Sequence, residues 1–413
     1  MNGFRRGVVT LAVATLMTFA ACGVEVAGPP TAAGAPAPAR LAFGTLASLP
    51  EHSQEEAQAG ISVAEVEIDW SLAEPAEGQF DENYLRKVKE NLKTIQATGR
   101  TITLEPSLHY TPDWLLAKPD GRMVDELGNI SDEGNFIFNQ RLRDAAEKYL
   151  DKVASEFDFS QFAAVRVTSA TDTEVLYPAN GHYWAFDRDA QNGPDMPQTM
   201  ARNPAPGWRP GAAGLPQDKV RAWADWYIGA LVDEVNWQIA TYSKLGFHGT
   251  YLVLTPGVGV RPSEYEQAIQ QNLPPGLLGA GGAWQVFYSK LPHRPDVLAY
   301  VSSAADRSGN NDTCQPDDRS VPIDSPAILD WSATRWITRL AAEYGFGVAG
   351  ENPGWDQSKK LNKTYVDLSD NGMMATALRQ ARDCGFQIFY WAHDEKLWDG
   401  TIPFSAYAEH IAR

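Results

Sequence analysis

The chain has few cysteines and few histidines, and it carries a large excess of acidic side chains. Its 413 residues include three cysteines and seven histidines. No histidines show the H-x-x-x-H or H-x-H spacing of a zinc hydrolase, so metal-dependent hydrolysis is disfavoured and no cofactor is expected. The formal net charge of -17 repels nucleic acid and anionic lipid. Nucleic acid is therefore not an expected partner.

The N-terminus has the pattern of an export signal. Arg5 and Arg6 precede an apolar run from Val8 to Ala21, which is too short to span a bilayer. The following Phe19-Ala-Ala-Cys22 resembles the lipobox of bacterial lipoproteins, although Phe stands where Leu is usual. The resemblance implies a signal peptide over residues 1–21 and a lipid on Cys22. A plain signal peptide, cut near Ala21, is the alternative.

The rest of the chain divides into a linker and one large domain. Residues 22–39 are rich in Ala, Pro and Gly and predict a flexible tether. Residues 40–413 have the length of a single α/β barrel. Under this prediction the protein is extracytoplasmic, and the lipid anchor is its only contact with the membrane.

Cys314 and Cys384 remain once Cys22 is assigned to the lipid. An exported pair favours a disulfide. The predicted topology, however, places Cys314 at one end of the barrel and Cys384 at the other, beyond the Cα separation of about 7 Å that a disulfide allows. We expect two free or buried thiols, and the sequence leaves their pairing open.

Short apolar segments alternate with long amphipathic ones from residue 40 onwards. The eight predicted strands are Leu41–Leu46, Val63–Ile68, Thr101–Glu105, Ala163–Thr168, Thr250–Thr255, Val297–Val301, Phe346–Ala349 and Phe386–Tyr390. One predicted helix begins after Asp81, and another begins at Ser325-Pro326. The alternation predicts a (β/α)8 TIM barrel of the α/β class. An open doubly wound sheet is the alternative.

Two glutamates follow predicted strands. Glu351 comes directly after Phe346–Ala349 and Gly350, and Glu174 comes shortly after Ala163–Thr168. Active sites of such barrels lie at the carboxyl ends of the strands. Because glycoside hydrolysis requires two carboxyl groups, one to protonate the leaving oxygen and one to act at C1, the pair predicts a glycoside hydrolase.

Three sequence motifs resemble those of one enzyme family. Trp70-Ser-Leu-Ala-Glu-Pro-Ala-Glu-Gly-Gln-Phe-Asp81 follows the second strand, His109-Tyr-Thr-Pro-Asp-Trp-Leu115 follows the third, and Trp391 ends the eighth. Together they resemble clan A glycoside hydrolases, especially the β-galactosidase-like families 42 and 35. The Glu-x-x-Tyr-Pro at Glu174 also resembles the motif of β-amylases, which invert.

The resemblance implies a role for each glutamate. Glu174 is expected to be the acid/base and Glu351 the nucleophile of a retaining enzyme that cleaves a β-linked, galactoside-like oligo- or polysaccharide. In the family an Asn usually precedes the acid/base, whereas Thr173 stands here. This departure makes Asp172 the fallback acid.

Further side chains are predicted to contact the sugar. Trp70, Trp355 and Trp391 are candidate stacking platforms, His109 and Asn352 are candidate polar contacts, and Asp69 ends a strand within reach of a hydroxyl. Glu65 and Glu67 share a strand face with Asp69. We expect this acidic face to point into the barrel and to be partnered by Arg166.

Two non-catalytic functions stay open at this stage. One is a sugar-binding lipoprotein built from two α/β lobes, which needs no pair of strand-end glutamates. The other is a degenerate barrel kept as an adhesin, which Thr173 favours. The sugar, the linkage and the oligomeric state do not follow from the sequence.

Overall fold

A computed structural model describes residues 41–168, 174–257, 259–305, 312–355 and 358–413. The predicted signal peptide, the linker and Cys22 lie outside these residues, as do Asp172 and Thr173. In the part of the chain that is described, no helix is both long and apolar enough to cross a membrane.

Eight parallel strands close into a barrel, which confirms the predicted (β/α)8 fold. The strands are β1 (Ala42–Thr45), β2 (Val63–Glu67), β3 (Thr101–Glu105), β6 (Ala164–Val167), β7 (Thr250–Thr255), β8 (Val297–Val301), β9 (Gly347–Glu351) and β10 (Ile388–Trp391). Every predicted strand is present within a few residues of its expected bounds. The first strand pairs with the last, Ala42 beside Ile388, so the sheet is not an open one.

Helices and one hairpin connect the strands. The helices are α1 (Ser53–Gln58), α2 (Trp70–Ala73), α3 (Glu82–Gln96), α4 (Asp113–Leu116), α5 (Gln140–Phe157), α6 (Gln217–Lys244), α7 (Pro262–Gln270), α8 (Trp284–Lys290), α9 (Ala333–Tyr344), α10 (Lys359–Tyr365), α11 (Met373–Asp383) and α12 (Phe404–Ala412). The hairpin pairs β4 (Arg122–Val124) with β5 (Ile130–Gly134) after β3.

Capping residues set the helix boundaries. The Asp81 carboxylate accepts hydrogen bonds from the backbone N–H groups of Asn83 and Tyr84, so α3 begins where the sequence predicts. The helix predicted from Ser325 is interrupted. A short 3-10 turn over Pro326–Asp330 ends first. The Ser332 hydroxyl then caps a new helix, α9, because a second N-cap side chain lies in the sequence.

The barrel strands separate two apolar layers. Inward-facing side chains such as Leu254, Tyr300 and Tyr390 fill the barrel. The opposite faces of the same strands, Phe389 and Trp391 among them, pack against the helices in the larger core. The alternation along each strand decides which side chains can reach the interior.

Cys314 and Cys384 form a disulfide, so the expectation of two free thiols was wrong. Their Cα atoms are 5.0 Å apart. The connection after β8 returns along α11, where the Asp312 carbonyl accepts from Gln380 Nε2 and Thr313 Oγ1 donates to Asp383. This return brings Cys314 to the end of α11, where Cys384 lies. Strand order alone did not predict the path of so long a loop.

Removing the disulfide should destabilise the fold. The bond joins residues separated by 70 positions. Closing a loop of that length in the unfolded chain corresponds to about 4 kcal/mol in the chain-entropy treatment. We expect the Cys314→Ala/Cys384→Ala variant to lose about 2–4 kcal/mol in urea unfolding. Equal unfolding midpoints for the variant and the oxidised wild type would contradict the prediction, and wild type in reductant is the matched control.

Candidate active site

Glu351 and Glu174 both lie at the carboxyl ends of barrel strands. Glu351 is the last residue of β9. Glu174 lies in the connection after β6, and the adjacent Val175 N–H donates to the Leu254 carbonyl of β7 at 2.9 Å. The loop that carries Glu174 is thereby fixed to the neighbouring strand. Both glutamates thus occupy the end of the barrel where active sites form in this fold.

Glu351 is buried and held by two partners. Its residue exposure is 7%. The Tyr300 hydroxyl donates to Oε2 at 2.6 Å, and Arg166 Nη1 lies 3.3 Å from the same oxygen. Burial raises the pKa of Glu351, while Arg166 and the Tyr300 hydrogen bond act in the opposite direction. The Glu351 carboxylate is therefore shielded from water, and its two partners fix its orientation and stabilise its ionised form.

Glu174 is half-buried and is bonded by a residue next to β8, the strand whose Tyr300 donates to Glu351. The Ser302 hydroxyl donates to its Oε1. Ser302 directly follows β8, on which Tyr300 lies two positions earlier. Residues two apart on a strand point to the same side and are about 6.6 Å apart. Strand β8 thus brings the two carboxylates together through neighbouring hydroxyl groups.

An ionic network fills the barrel beneath Glu351. Arg166 Nε is 3.0 Å from Glu105 Oε2, and its guanidinium lies over the Tyr300 ring at 5.4 Å. The predicted inward position of Glu65 is confirmed by its near-complete burial. Glu105, which was not singled out from the sequence, is the closer partner of Arg166. Its position opposite Glu67 in the β2–β3 register is the signal that identifies it.

The carboxyl groups of this network resist ionisation. Burial, followed by the charge of Glu105, raises the pKa of Glu67 to about 7. Burial is also the main cause that raises the pKa values of Glu65 and Glu105. Arg166 lowers the pKa of each of these groups. A single guanidinium therefore offsets several carboxyl groups that cannot all be charged at neutral pH.

Trp70 is not a sugar platform. Its side chain is fully buried and stacks on Tyr149, with ring centroids 4.7 Å apart. The indole N–H donates to Glu74 Oε2 at 2.8 Å, and the other oxygen of Glu74 accepts from the Gly78 N–H. The motif residues at these positions build the wall between β2 and β3, and Trp70 presents no surface to a ligand.

Trp391 and Asn352 are also buried away from the barrel mouth. Trp391 has no exposed surface and packs against Tyr365 and Tyr407. It faces the helices because its neighbour Tyr390 takes the inward position on β10. Asn352 is fully buried, and its Oδ1 accepts from the Ala392 N–H at 2.9 Å. Its amide joins the ends of β9 and β10 and does not contact the site.

His109, Asp69 and Trp355 lie at the rim with partly open surroundings. His109 Nδ1 is 3.7 Å from Glu105 Oε1, which places the imidazole next to the ionic network. Asp69 caps α2, since its Oδ1 accepts from the Leu72 N–H. Trp355 is half-buried and meets Tyr365 edge-on at 5.3 Å. Of the predicted sugar contacts, His109 is the one beside Glu105 of the ionic network.

One group of possible metal ligands occurs among the described residues. Atoms of Asp125, Glu126 and His182 lie within 4.8 Å of one another. Their lone pairs are engaged, because Asp125 accepts from the Leu127 and Asn129 N–H groups and Glu126 contacts His182 Nδ1 at 2.8 Å. These contacts fix the β4–β5 hairpin to the loop before α6, so the group has a structural role.

Comparison with known proteins agrees with the fold and with the motifs. Residues 47–166 match the family Glyco_hydro_42, described as beta-galactosidase. That segment contains both Trp70–Asp81 and His109–Leu115, and it ends at Arg166. The predicted resemblance to clan A glycoside hydrolases is confirmed. No curated protein matches the chain.

Solved structures similar to this chain include two glycosidases. The catalytic domain of beta-amylase from Paenibacillus polymyxa aligns with a TM-score of 0.59 at 14% identity, over 90% of this chain and 97% of that one. Beta-galactosidase from the psychrophilic Marinomonas ef1 aligns with a TM-score of 0.52 at 15% identity, over 85% of this chain. The alignment spans only 54% of that second structure. At these identities the likeness supports the barrel fold.

The fold and the family match together define the class. The chain is a (β/α)8 barrel of the glycoside hydrolase type, and residues 47–166 are similar to the family described as beta-galactosidase. The two strand-end glutamates lie outside the matched segment.

Proposed function

We propose that this protein is an exported, lipid-anchored retaining glycoside hydrolase that cleaves a β-linked, galactoside-like oligo- or polysaccharide. Glu351 is the nucleophile, and Glu174 is the acid/base. The observation that carries the proposal is the pairing of both carboxylates with neighbouring hydroxyls of β8, Tyr300 with Glu351 and Ser302 with Glu174. Export and lipidation of Cys22 rest on the N-terminal sequence alone.

The reaction proceeds by two displacements. Glu174 donates a proton to the glycosidic oxygen while a Glu351 oxygen attacks C1, so the C1–O bond breaks and a glycosyl ester forms. The leaving sugar departs as an alcohol. Glu174, now ionised, takes a proton from water as the water oxygen attacks C1 and releases Glu351. Two inversions at C1 retain the anomeric configuration.

The surroundings suit these roles. A nucleophile must be ionised, and Arg166 with the Tyr300 hydroxyl supports the charge on Glu351 against burial. Glu174 is less enclosed and accepts from the neutral Ser302 hydroxyl. The two environments differ in the direction that a donor and a nucleophile require.

Hydrolysis of a glycoside panel by the full-length protein tests the proposal. The panel contains aryl β-galactosides, related β-glycosides and unmodified β-linked oligosaccharides, and proton NMR follows the anomer that appears first. Release of the β-anomer from a β-glycoside is the expected result. Binding without turnover across the panel would identify a sugar-binding protein, and first release of the α-anomer would make the enzyme inverting.

Replacing Tyr300 with Phe should slow the reaction and shift the acidic limb of its pH–rate profile to higher pH. Loss of the hydroxyl donor leaves Glu351 with less support for its charge, so its pKa rises further and ionisation requires a higher pH. We expect kcat/KM to fall by about 100-fold and its acidic limb to shift upward. Tyr390→Phe is the matched control, since that buried hydroxyl bonds Thr103. Equal pH profiles for Tyr300→Phe and wild type would contradict the assignment.

A further inference from the structure

A surface cleft beside His109 has no role in the mechanism above. It lies between the loops that follow β2 and β3 and has a volume of about 490 Å³. Its lining includes Ser71, Pro75, His109, Tyr110, Thr111 and Asp113. We call it the rim cleft. Its size lies within the range of pockets that hold small ligands.

Tyr110 gives the rim cleft an exposed aromatic surface. It is 43% exposed, and its ring centroid lies 4.1 Å from that of His109. Aromatic rings in this protein are otherwise mostly buried in the core. A phenol ring has an apolar face and a polar tip, and such a ring can stack on a sugar and bond its hydroxyls. Ser71 and Thr111 line the same cleft, where the Ser71 hydroxyl donates to Asp69 and the Thr111 hydroxyl donates to the Leu108 carbonyl.

The loop that carries Tyr110 is held in one conformation. Ser107 has a φ of 41°, and the Tyr110 N–H donates to its carbonyl at 3.0 Å. The Tyr149 hydroxyl lies 2.9 Å from the Ile68 carbonyl and 3.0 Å from that of Pro106. These contacts tie both loops of the rim cleft to one buried side chain. A fixed platform loses less conformational entropy when a ligand binds.

A chain of side-chain contacts links the rim cleft to Glu351. His109 lines the cleft, and its Nδ1 is 3.7 Å from Glu105 Oε1. Glu105 contacts Arg166, which in turn contacts Glu351. The rim cleft therefore lies at the same end of the barrel as Glu351, where the loops after the strands build the substrate site of this fold.

The charges around the rim cleft restrict the ligand. Asp113 lines it, Asp69 caps the helix beside Ser71, and Glu67 ends the adjacent strand. None of the described residues that line the cleft is a lysine or an arginine. The nearby Arg166 is engaged by Glu105 and Glu351. A uronate or sulfated sugar would meet carboxylates without a compensating cation.

We propose that the rim cleft is a second sugar subsite that takes an uncharged pyranose stacked on Tyr110. The inference rests on the proposed glycosidase function and deepens it, because the natural substrate is then a neutral oligosaccharide that extends beyond the cleaved bond. Monoglycosides occupy the catalytic centre alone and leave this subsite empty.

Binding and turnover together test the subsite. Calorimetry on the Glu351→Gln variant measures the affinity for neutral galactose, glucose, mannose and xylose trisaccharides, and for the same compounds oxidised to uronates. We expect Tyr110→Ala to weaken binding of the preferred neutral trisaccharide about tenfold. The same substitution should lower kcat/KM about tenfold on the trisaccharide and leave that on an aryl monoglycoside unchanged. Leu329→Ala is the control, because Leu329 is exposed and is not one of the residues that line the rim cleft.

The outcomes separate the two proposals. Equal loss on the monoglycoside and the trisaccharide, or no loss on either, would overturn the subsite. Tighter binding of the uronates would overturn its preference for uncharged sugars. If Glu351→Gln keeps wild-type turnover, the assignment of Glu351 as the nucleophile fails. The effect of Tyr110→Ala on trisaccharide binding then still tests whether the rim cleft is a sugar subsite. Failure of every trisaccharide to bind would also overturn it.

Discussion

Replacing Glu351 with Ala should lower kcat on an aryl β-glycoside by on the order of 10⁴-fold, because the covalent step loses its nucleophile. Added azide should restore part of the activity. The substitution leaves a space beside Arg166 Nη1, which contacts the carboxylate at 3.3 Å in the wild type. A small anion is attracted to this guanidinium and can attack C1 in place of the carboxylate. The product should be the α-glycosyl azide, identified by NMR.

The matched variant is Glu174→Ala. If Glu174 is the acid/base, azide attacks the glycosyl ester instead, and the product should be the β-glycosyl azide. Substrates with good leaving groups should keep much of their rate in the first step, since they need little protonation. Identical azide products from the two variants would contradict the assignment of distinct roles. Undiminished activity of Glu351→Ala would remove that residue from the mechanism.

The barrel itself follows from local sequence patterns. Most strands are short apolar runs, and the longer helices, such as α3 and α9, have a cap and an apolar stripe that can be identified without tertiary information. Asp81 before α3 is an example, since its carboxylate caps the helix as expected. The helix interrupted at Trp331 shows the limit of this approach. Ser325 and Ser332 are both suitable caps, and packing decides where the α-helix begins.

The site was predicted less completely, and the tryptophans show why. A Trp at a strand end suggests a sugar platform, but the residue beside it determines which side of the strand it occupies. On β10 the inward position belongs to Tyr390, and Trp391 packs among the helices. Tyr300 and Ser302 were missed for the complementary reason. Tyr300 lies on the inward face of a predicted strand and Ser302 follows that strand directly, yet they have no motif that distinguishes them from other barrel residues.

The family signal in the sequence belongs to the scaffold. Trp70, Glu74 and Gly78 form one hydrogen-bonded unit that builds the wall beside β2. These residues lie in the matched segment, 47–166, whereas Glu174 and Glu351, the proposed catalytic pair, lie beyond it. A family resemblance can therefore be strongest where the chain must fold in one way and weak where the loops differ. The roles of Glu174 and Glu351 require the experiments above.

Replacing Arg166 with Met should destabilise the protein increasingly as the pH rises. Arg166 is the buried cation that lowers the pKa values of Glu65, Glu67, Glu105 and Glu351. Without the Arg166 guanidinium, the pKa values of these four carboxyl groups, already raised by burial, rise further. The folded state then holds protons that the unfolded chain releases above about pH 4.5. The folded variant keeps this contribution to its free energy of unfolding below that pH, and it loses the contribution as the pH rises through the folded-state pKa values.

Thermal unfolding across pH separates this charge effect from simple loss of packing. At pH 8 we expect Arg166→Met to lose about 3–5 kcal/mol, the cost of leaving buried carboxylates unpaired, and to lose less at pH 5, where a larger share of those groups is protonated. Arg261→Met is the matched control. That guanidinium is also buried, but it donates to the backbone carbonyls of Ile328 and Trp331. Backbone carbonyls do not titrate, so the loss in Arg261→Met should be nearly the same at both pH values. A parallel pH dependence in the two variants would show that Arg166 stabilises the barrel by packing alone and does not set the ionisation of Glu351.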